Sequence, residues 1–164
     1  MSETDSQVDL LRGVEVFRGA SDDDLRNLVA MAREAEFPKG ETIFREYDEA
    51  KEVYAIVSGS VALSLCHLKQ NCRQIATVAD GGLLGWSPLL GRMRLSDTAY
   101  TLSPVKAFVF DGAELMNYCE ANPKFGFAFM RQAASVLAER LSATRLQLFD
   151  VHHMNLPEAT LESD

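Results

Sequence analysis

The sequence predicts an α+β chain in which a block of short strands is enclosed by helices. Three observations predict it. Residues 41–110 break into short β-rich segments separated by turn residues. Residues 7–37 before them, and 123–151 after them, carry apolar residues at helical spacing instead. Many short strands with regular turns suggest a sandwich or a barrel.

The elements follow in order. A short helical pattern over 7–18 ends in "VEVFRG". In "SDDDLRNLVAMAREAEF", Ser21 is positioned as an N-cap, with Asp24 three residues on as an acidic capping box. Leu25, Leu28, Val29 and Ala32 give helical spacing, and Pro38 and Gly40 stop the pattern. "ETIFRE", "VYAIVSG", "SVALSL", "CRQIATVAD", "DTAYTLS" and "VKAFVFD" read as strands. Ser58-Gly59 between the second and third reads as a hairpin. Asp111 is a candidate cap for a short helix over "DGAELMNYCEAN". Pro123 opens the long pattern, where proline is tolerated in a first turn.

That long pattern repeats every seven residues. Phe127, Ala134, Leu141 and Leu148 form one row; Met130, Leu137, Thr144 and Val151 form the row three residues on. This is an a/d seam of a coiled coil. Phe125, Phe129 and Val136 mark a second apolar face. A helix of this length reaches about 45 Å, further than one small domain covers. The expectation is a parallel homodimer with Phe127, Met130, Ala134, Leu137, Leu141, Thr144 and Leu148 at its interface.

Composition bounds the function. Apolar residues make up 47% of the 164-residue chain, enough for the core of one domain. No apolar run approaches the roughly 18 residues of a membrane span, and the acidic start "MSETDSQVD" is unlike a secretory signal. The chain reads as cytoplasmic, with no membrane partner. The net charge is −8 and the densest basic run is only "GRMR". Nucleic-acid binding usually needs a basic patch, so no DNA partner is expected. Cys66, Cys72 and Cys119 are odd in number and form no CxxC, which argues against disulfides and for a reducing compartment. Cys66, His67 and Cys72 read as a hairpin loop before a metal site, and His152 and His153 as solvated.

Residues 81–91, "GGLLGWSPLLG", have the form of a phosphate cradle: a tight glycine turn leading into one turn of helix. The order of elements and three segments resemble the cyclic nucleotide-binding domains of the catabolite activator protein superfamily. "FPKGETIFREYDEAKEVYAIVSGSVAL" is similar to that family's first half, "DGGLLGWSPLL" to its phosphate-binding cassette, and "LAERLSATRLQL" to the start of its dimer helix. The resemblance covers roughly residues 10–151. It implies a jelly-roll-like antiparallel β-roll of about eight strands, flanked by N-terminal helices and a long C-terminal dimerisation helix. It leaves 1–9 as a flexible N-terminus and 152–164 as a disordered acidic tail, with the dimer helix at 123–151.

The cassette departs from the family pattern. Gly85 matches the family's glycine and Leu89-Leu90 its closing leucines. Trp86 stands where the family has a glutamate for the ribose hydroxyl, and Asp97 where it has an arginine for the cyclic phosphate. Indole is a donor only, and a carboxylate repels phosphate. Each lost charged hydrogen bond is worth about 1.5–3 kcal/mol, so affinity falls by about a thousandfold or more. The usual cyclic-nucleotide mode is therefore not expected. Gly85, Trp86, Ser87, Arg92, Arg94 and Asp97 are the candidate ligand-binding residues. Arg92 or Arg94 could reach back to an anion, or be solvated surface. Trp86 could fill the vacated pocket or offer a stacking platform.

Neither a nucleophile elbow, a metal-ligand spacing nor a dinucleotide glycine fingerprint is present, so an enzyme is not expected. Two readings remain. One is a dimeric regulatory or accessory subunit of a larger assembly; the "GWS" cassette resembles stand-alone bacterial members, including the small accessory subunit of NAD-reducing soluble hydrogenases. The other is a sensor of a cyclic nucleotide or another phosphate-bearing nucleotide, nicotinamide dinucleotide included. No cofactor is assigned. Phe125, Phe129, Met93 and Leu95 are candidates for an exposed docking patch.

Overall fold

The computed structural model describes residues 2–67 and 71–152. It has four α-helices and eight strands: α1 Glu3–Arg12, α2 Asp22–Met31, β1 Arg33–Phe37, β2 Thr42–Phe44, β3 Glu52–Ser58, β4 Val61–His67, β5 Asn71–Val78, β6 Leu83–Leu84, β7 Thr98–Thr101, β8 Val105–Asp111, α3 Gly112–Ala121 and α4 Pro123–His152. The strands form two antiparallel four-stranded sheets, ordered β1-β8-β3-β6 and β2-β7-β4-β5. This is the expected α+β jelly-roll.

The sheet β1-β8-β3-β6 is apolar on both faces. Tyr54, Ile56, Ala107 and Val109 point into the roll, while Val53, Ala55, Phe108 and Phe110 pack against the helices. Double-sided burial explains why β3 reads as the unbroken apolar run "VYAIV" and not as an alternation. The helix-side core joins Leu11, Phe17, Leu25 and Leu28 to Leu115, Phe125 and Phe129.

Several expectations change. The N-terminus is not a loose leader, because Ser2 caps α1 through a capping box with Asp5 and Val8 is buried. The helix begun at Ser21 has its expected Ser21–Asp24 box but ends at Met31, not at Pro38. Residues 33–37 leave it to pair with β8, and Lys106–Glu36 and Arg33–Glu52 ion pairs flank that register. Tertiary pairing overrides a helical spacing that was unbroken in the sequence.

Ser58-Gly59 is a turn but not a hairpin, since β3 and β4 belong to different sheets. Gly59 passes the chain between them at φ 107°, its N–H donating to Asp80 Oδ1 at 2.8 Å. A Cβ there would collide with the Pro104 carbonyl oxygen and Val105. The true hairpin is β4–β5, which sets Cys66 opposite Cys72, and the two form a disulfide. An odd count left one cysteine over without excluding this pair, so the inference to a reducing compartment loses its premise. The remaining thiol, Cys119, is buried, which pushes its pKa up to about 11. Among the described residues no group of His, Cys, Asp and Glu is placed to hold a metal, and no helix is long and apolar enough to cross a membrane. Of the expected tail at 152–164, His152 is the last residue of α4, and His153 with the rest lies outside the described residues.

Two outcomes follow from these contacts. Gly59→Ala combines a forbidden φ with a backbone collision and should lower unfolding stability by about 2–3 kcal/mol in a urea titration. With a chromogenic disulfide reagent at pH 8, the native protein should release almost no thiol signal. Urea alone should expose one thiol, and urea with prior reduction three.

Candidate functional site

The cassette is built by glycine geometry. Gly81 and Gly82 dock on β3, with the Gly81 N–H donating to Ile56 O and the Ile56 N–H to Gly82 O. Gly85 turns at φ 75°, where a Cβ would lie 2.7 Å from Glu52 O. Ser87–Leu90 then form a single 3-10 turn closed by left-handed Gly91. A cavity of about 520 Å³ lies between this turn, the β4–β5 hairpin and α4.

Of the candidate ligand-binding residues, Trp86, Ser87 and Asp97 line this cavity. Gly85 sets the turn beneath it and lines a smaller recess alongside. Arg92 stands between this cavity and a second one. Arg94 is not brought to the cassette; it lines the second cavity and donates to Tyr47 O at 3.5 Å. Loop 91–96 pairs with loop 45–50 through Tyr47, Ala50 and Leu95 N–H donors, which holds Arg94 away.

Beside Arg92 the cavity holds a second cation, one that the sequence did not single out. Arg140 reaches in from α4 and donates from a terminal nitrogen to Leu83 O at 2.9 Å. Its guanidinium carbon stands 5.7 Å from the centre of the Trp86 ring, a cation–π distance. Trp86 Nε1 donates to the same Leu83 oxygen at 3.1 Å. Burial pushes the Arg140 pKa down, against the pull of the Asp97 and Glu15 carboxylates. Burial pushes the Asp97 carboxyl up, Arg140 opposes this and Glu46 adds to it. The signal was present in the sequence. Position 140 continues the stripe of Phe125, Phe129, Ala133 and Val136, so a charge falls on a core-facing position.

The long helix divides its apolar rows. Phe125 and Phe129 are buried against Phe17, and Val136 packs on the same core. Phe127, Ala134, Leu141 and Leu148 lie on a different face and are exposed, Phe127 at 71% and Leu141 at 51%. The other predicted seam row is used within the chain: Met130 packs on the core, and Leu137 and Thr144 line the cavity. At 3.6 residues per turn a strict seven-residue row drifts around the helix, which brings this row to the chain's own flank. The expected docking patch does not form, because Phe125, Phe129 and Leu95 are buried and only Met93 is exposed.

The chain has relatives among known proteins and the fold has counterparts among solved structures. A "CRP-like cAMP-activated global transcriptional regulator" of Mycobacterium tuberculosis is 24% identical over 155 residues, covering 91% of this chain and 65% of the relative. The chain therefore spans just under two thirds of the length of this curated relative. A candidate cyclic nucleotide-binding protein from Geobacter metallireducens matches with a TM-score of 0.70 at 25% identity, covering 86% of this chain and 99% of that one. The Thermus thermophilus catabolite activator protein matches with a TM-score of 0.68 at 23% identity, covering 84% of this chain and 62% of that one. These relatives correct the expectation that DNA is excluded as a partner. A transcriptional regulator stands among them, and the acidic charge of a regulatory domain does not report on the output it serves. The family model of the cyclic nucleotide-binding domain matches residues 34–122, from β1 to the end of α3. With more than half of its length inside that model and the roll and cassette in place, the chain belongs to the cyclic nucleotide-binding domain family.

Proposed function

We propose that this chain is a non-catalytic regulatory domain that works as a homodimer through α4, and that its cassette does not take cyclic AMP or cyclic GMP in the family's usual mode. One observation carries the proposal. The same helix walls the cassette cavity with Leu137, Arg140, Ala143, Thr144 and Gln147 and presents the exposed row of Phe127 and Leu141. A change in what fills the cavity therefore bears directly on the helix that would meet a partner. Such a ligand shifts the helix only as far as it binds its two positions unequally.

The non-binding part rests on side-chain chemistry. A cyclic phosphate placed at the cassette would face the Asp97 carboxylate, and a ribose hydroxyl would meet the Trp86 ring where an acceptor is needed. Of the two cations lining the cavity, Arg140 is already engaged by Leu83 O and Trp86, and Arg92 stands at the boundary with the second cavity. The effector is a protein or nucleic-acid machinery reached through α4. The finer expectation of an NAD-reducing hydrogenase-type partner rests on the cassette resemblance alone and forms no part of the proposal.

Calorimetric titration with cyclic AMP and cyclic GMP should show no saturable binding at micromolar concentrations; a micromolar dissociation constant for either would overturn the non-binding reading. The dimer is tested separately by light scattering. The wild type should run at twice its chain mass. Leu141→Glu, on the exposed row and away from the cavity, should run as a monomer with its fold intact, and a monomeric wild type would sink the dimer.

A further inference from the structure

The occupant of the cassette shows what chemistry the cassette accepts. Two groups hold the Arg140 guanidinium, the Leu83 carbonyl oxygen at 2.9 Å and the Trp86 ring at 5.7 Å, and the Asp97 carboxylate lines the same cavity beyond ion-pair distance. A carboxylate on Glu15 adds to the negative field. An acceptor, a π face and two anions are complementary to a flat cation with several N–H donors. A compact ammonium would satisfy the charge but not the ring face and the carbonyl together, and a phosphate would satisfy none of them. Arg92 is the opposing cation, and it stands at the boundary with the second cavity.

We propose that the cassette is an acceptor site for planar N–H-donor cations of the guanidinium or amidinium class, and that Arg140 is its tethered occupant, docking α4 on the roll until a free cation of that class displaces it. The donor set that the family fills with an anionic ligand is here inverted in sign and filled by the chain itself. The tethered side chain has a large advantage in effective concentration, so a free ligand competes only if it binds these groups better than Arg140 does. The inference rests on the regulatory reading only for its consequence, that displacement is signalled through α4. The site chemistry stands or falls alone.

Vacating the site and refilling it from solution tests this. Trp86 is the single tryptophan of the chain, so intrinsic fluorescence reports the cavity alone. Arg140→Ala should bind ethylguanidinium saturably at millimolar concentrations, with wild type binding it about tenfold more weakly or worse. Hydrogen exchange over 137–147 should speed up in Arg140→Ala and slow again when ethylguanidinium is added. Ethylammonium and methyl phosphate should leave both signals unchanged. Adding Asp97→Asn to Arg140→Ala should weaken ethylguanidinium about fivefold or more. Arg140→Lys, which keeps the charge, covers the case in which the alanine variant does not fold. It should bind ethylguanidinium more tightly than wild type does. The proposal is overturned by any of three results: no saturable signal in a folded variant, an equal response to ethylammonium, or a response to methyl phosphate in place of the guanidinium. The cyclic-nucleotide titration uses wild type and is read independently, so the two readings fail separately.

Discussion

The aromatic stack of Phe17, Phe125 and Phe129 decides where the rest of the molecule lies. The three rings stand 5.8–6.5 Å apart and are nearly parallel, with Phe110 of β8 set edge-on to Phe17 at 5.7 Å. They join the N-terminal helices, the roll and the first turns of α4 in one contact. Each buried ring contributes about 1.5–3 kcal/mol, a large share of what holds a domain this size together. A helix fixed at 125 and 129 has no freedom left in its rotation. Residues 133, 136 and 140 must follow on the same stripe, and the guanidinium of Arg140 arrives over Trp86.

Much of this was written locally. The strands of the roll, the Ser21 cap, the cassette and the two-faced long helix are set by spacing, turn residues and capping chemistry, which act within a few positions. What escaped depends on distant partners. Residues 33–37 carry a helical spacing and become a strand only because β8 offers an edge. Gly59 looks like a hairpin glycine because its local need for positive φ is the same in either case; which sheet follows is a tertiary fact. The Cys66–Cys72 bond was obscured by counting cysteines where pairing was the question. In the site, Trp86, Ser87 and Asp97 were found from the cassette, yet Arg140 lay 43 positions beyond Asp97, on another element. Arg94, close in sequence, is held elsewhere by backbone hydrogen bonds.

The cassette separates what its backbone demands from what its side chains offer. The glycines at 81, 82 and 85 keep the turn whatever the ligand: Gly81 takes a positive φ, a Cβ on Gly82 would collide with Val78, and one on Gly85 with Glu52 O of β3. The side chains that face the cavity answer to no such demand. Trp86 and Asp97 put an indole and a carboxylate on the cavity wall without disturbing the turn beneath them. On the proposed reading, shape alone would assign a ligand that these charges disfavour.

The position of Arg140 along its helix has a mechanical meaning. Take the stack at Phe129 as a pivot. Arg140 is then about 16 Å along the rod and the last turn about 35 Å, at 1.5 Å per residue. The helix is a lever of the third kind, worked near its middle and read at its far end. A guanidinium that slips 2 Å from its seat on Leu83 moves the tip by about 4 Å, close to the rise of one helical turn. The exposed apolar row lies along the length of that lever, so its outer residues travel furthest and its inner ones scarcely at all. Any surface that grips the far end reads an enlarged copy of a small event at the cassette, and one that grips Phe127 reads almost none of it.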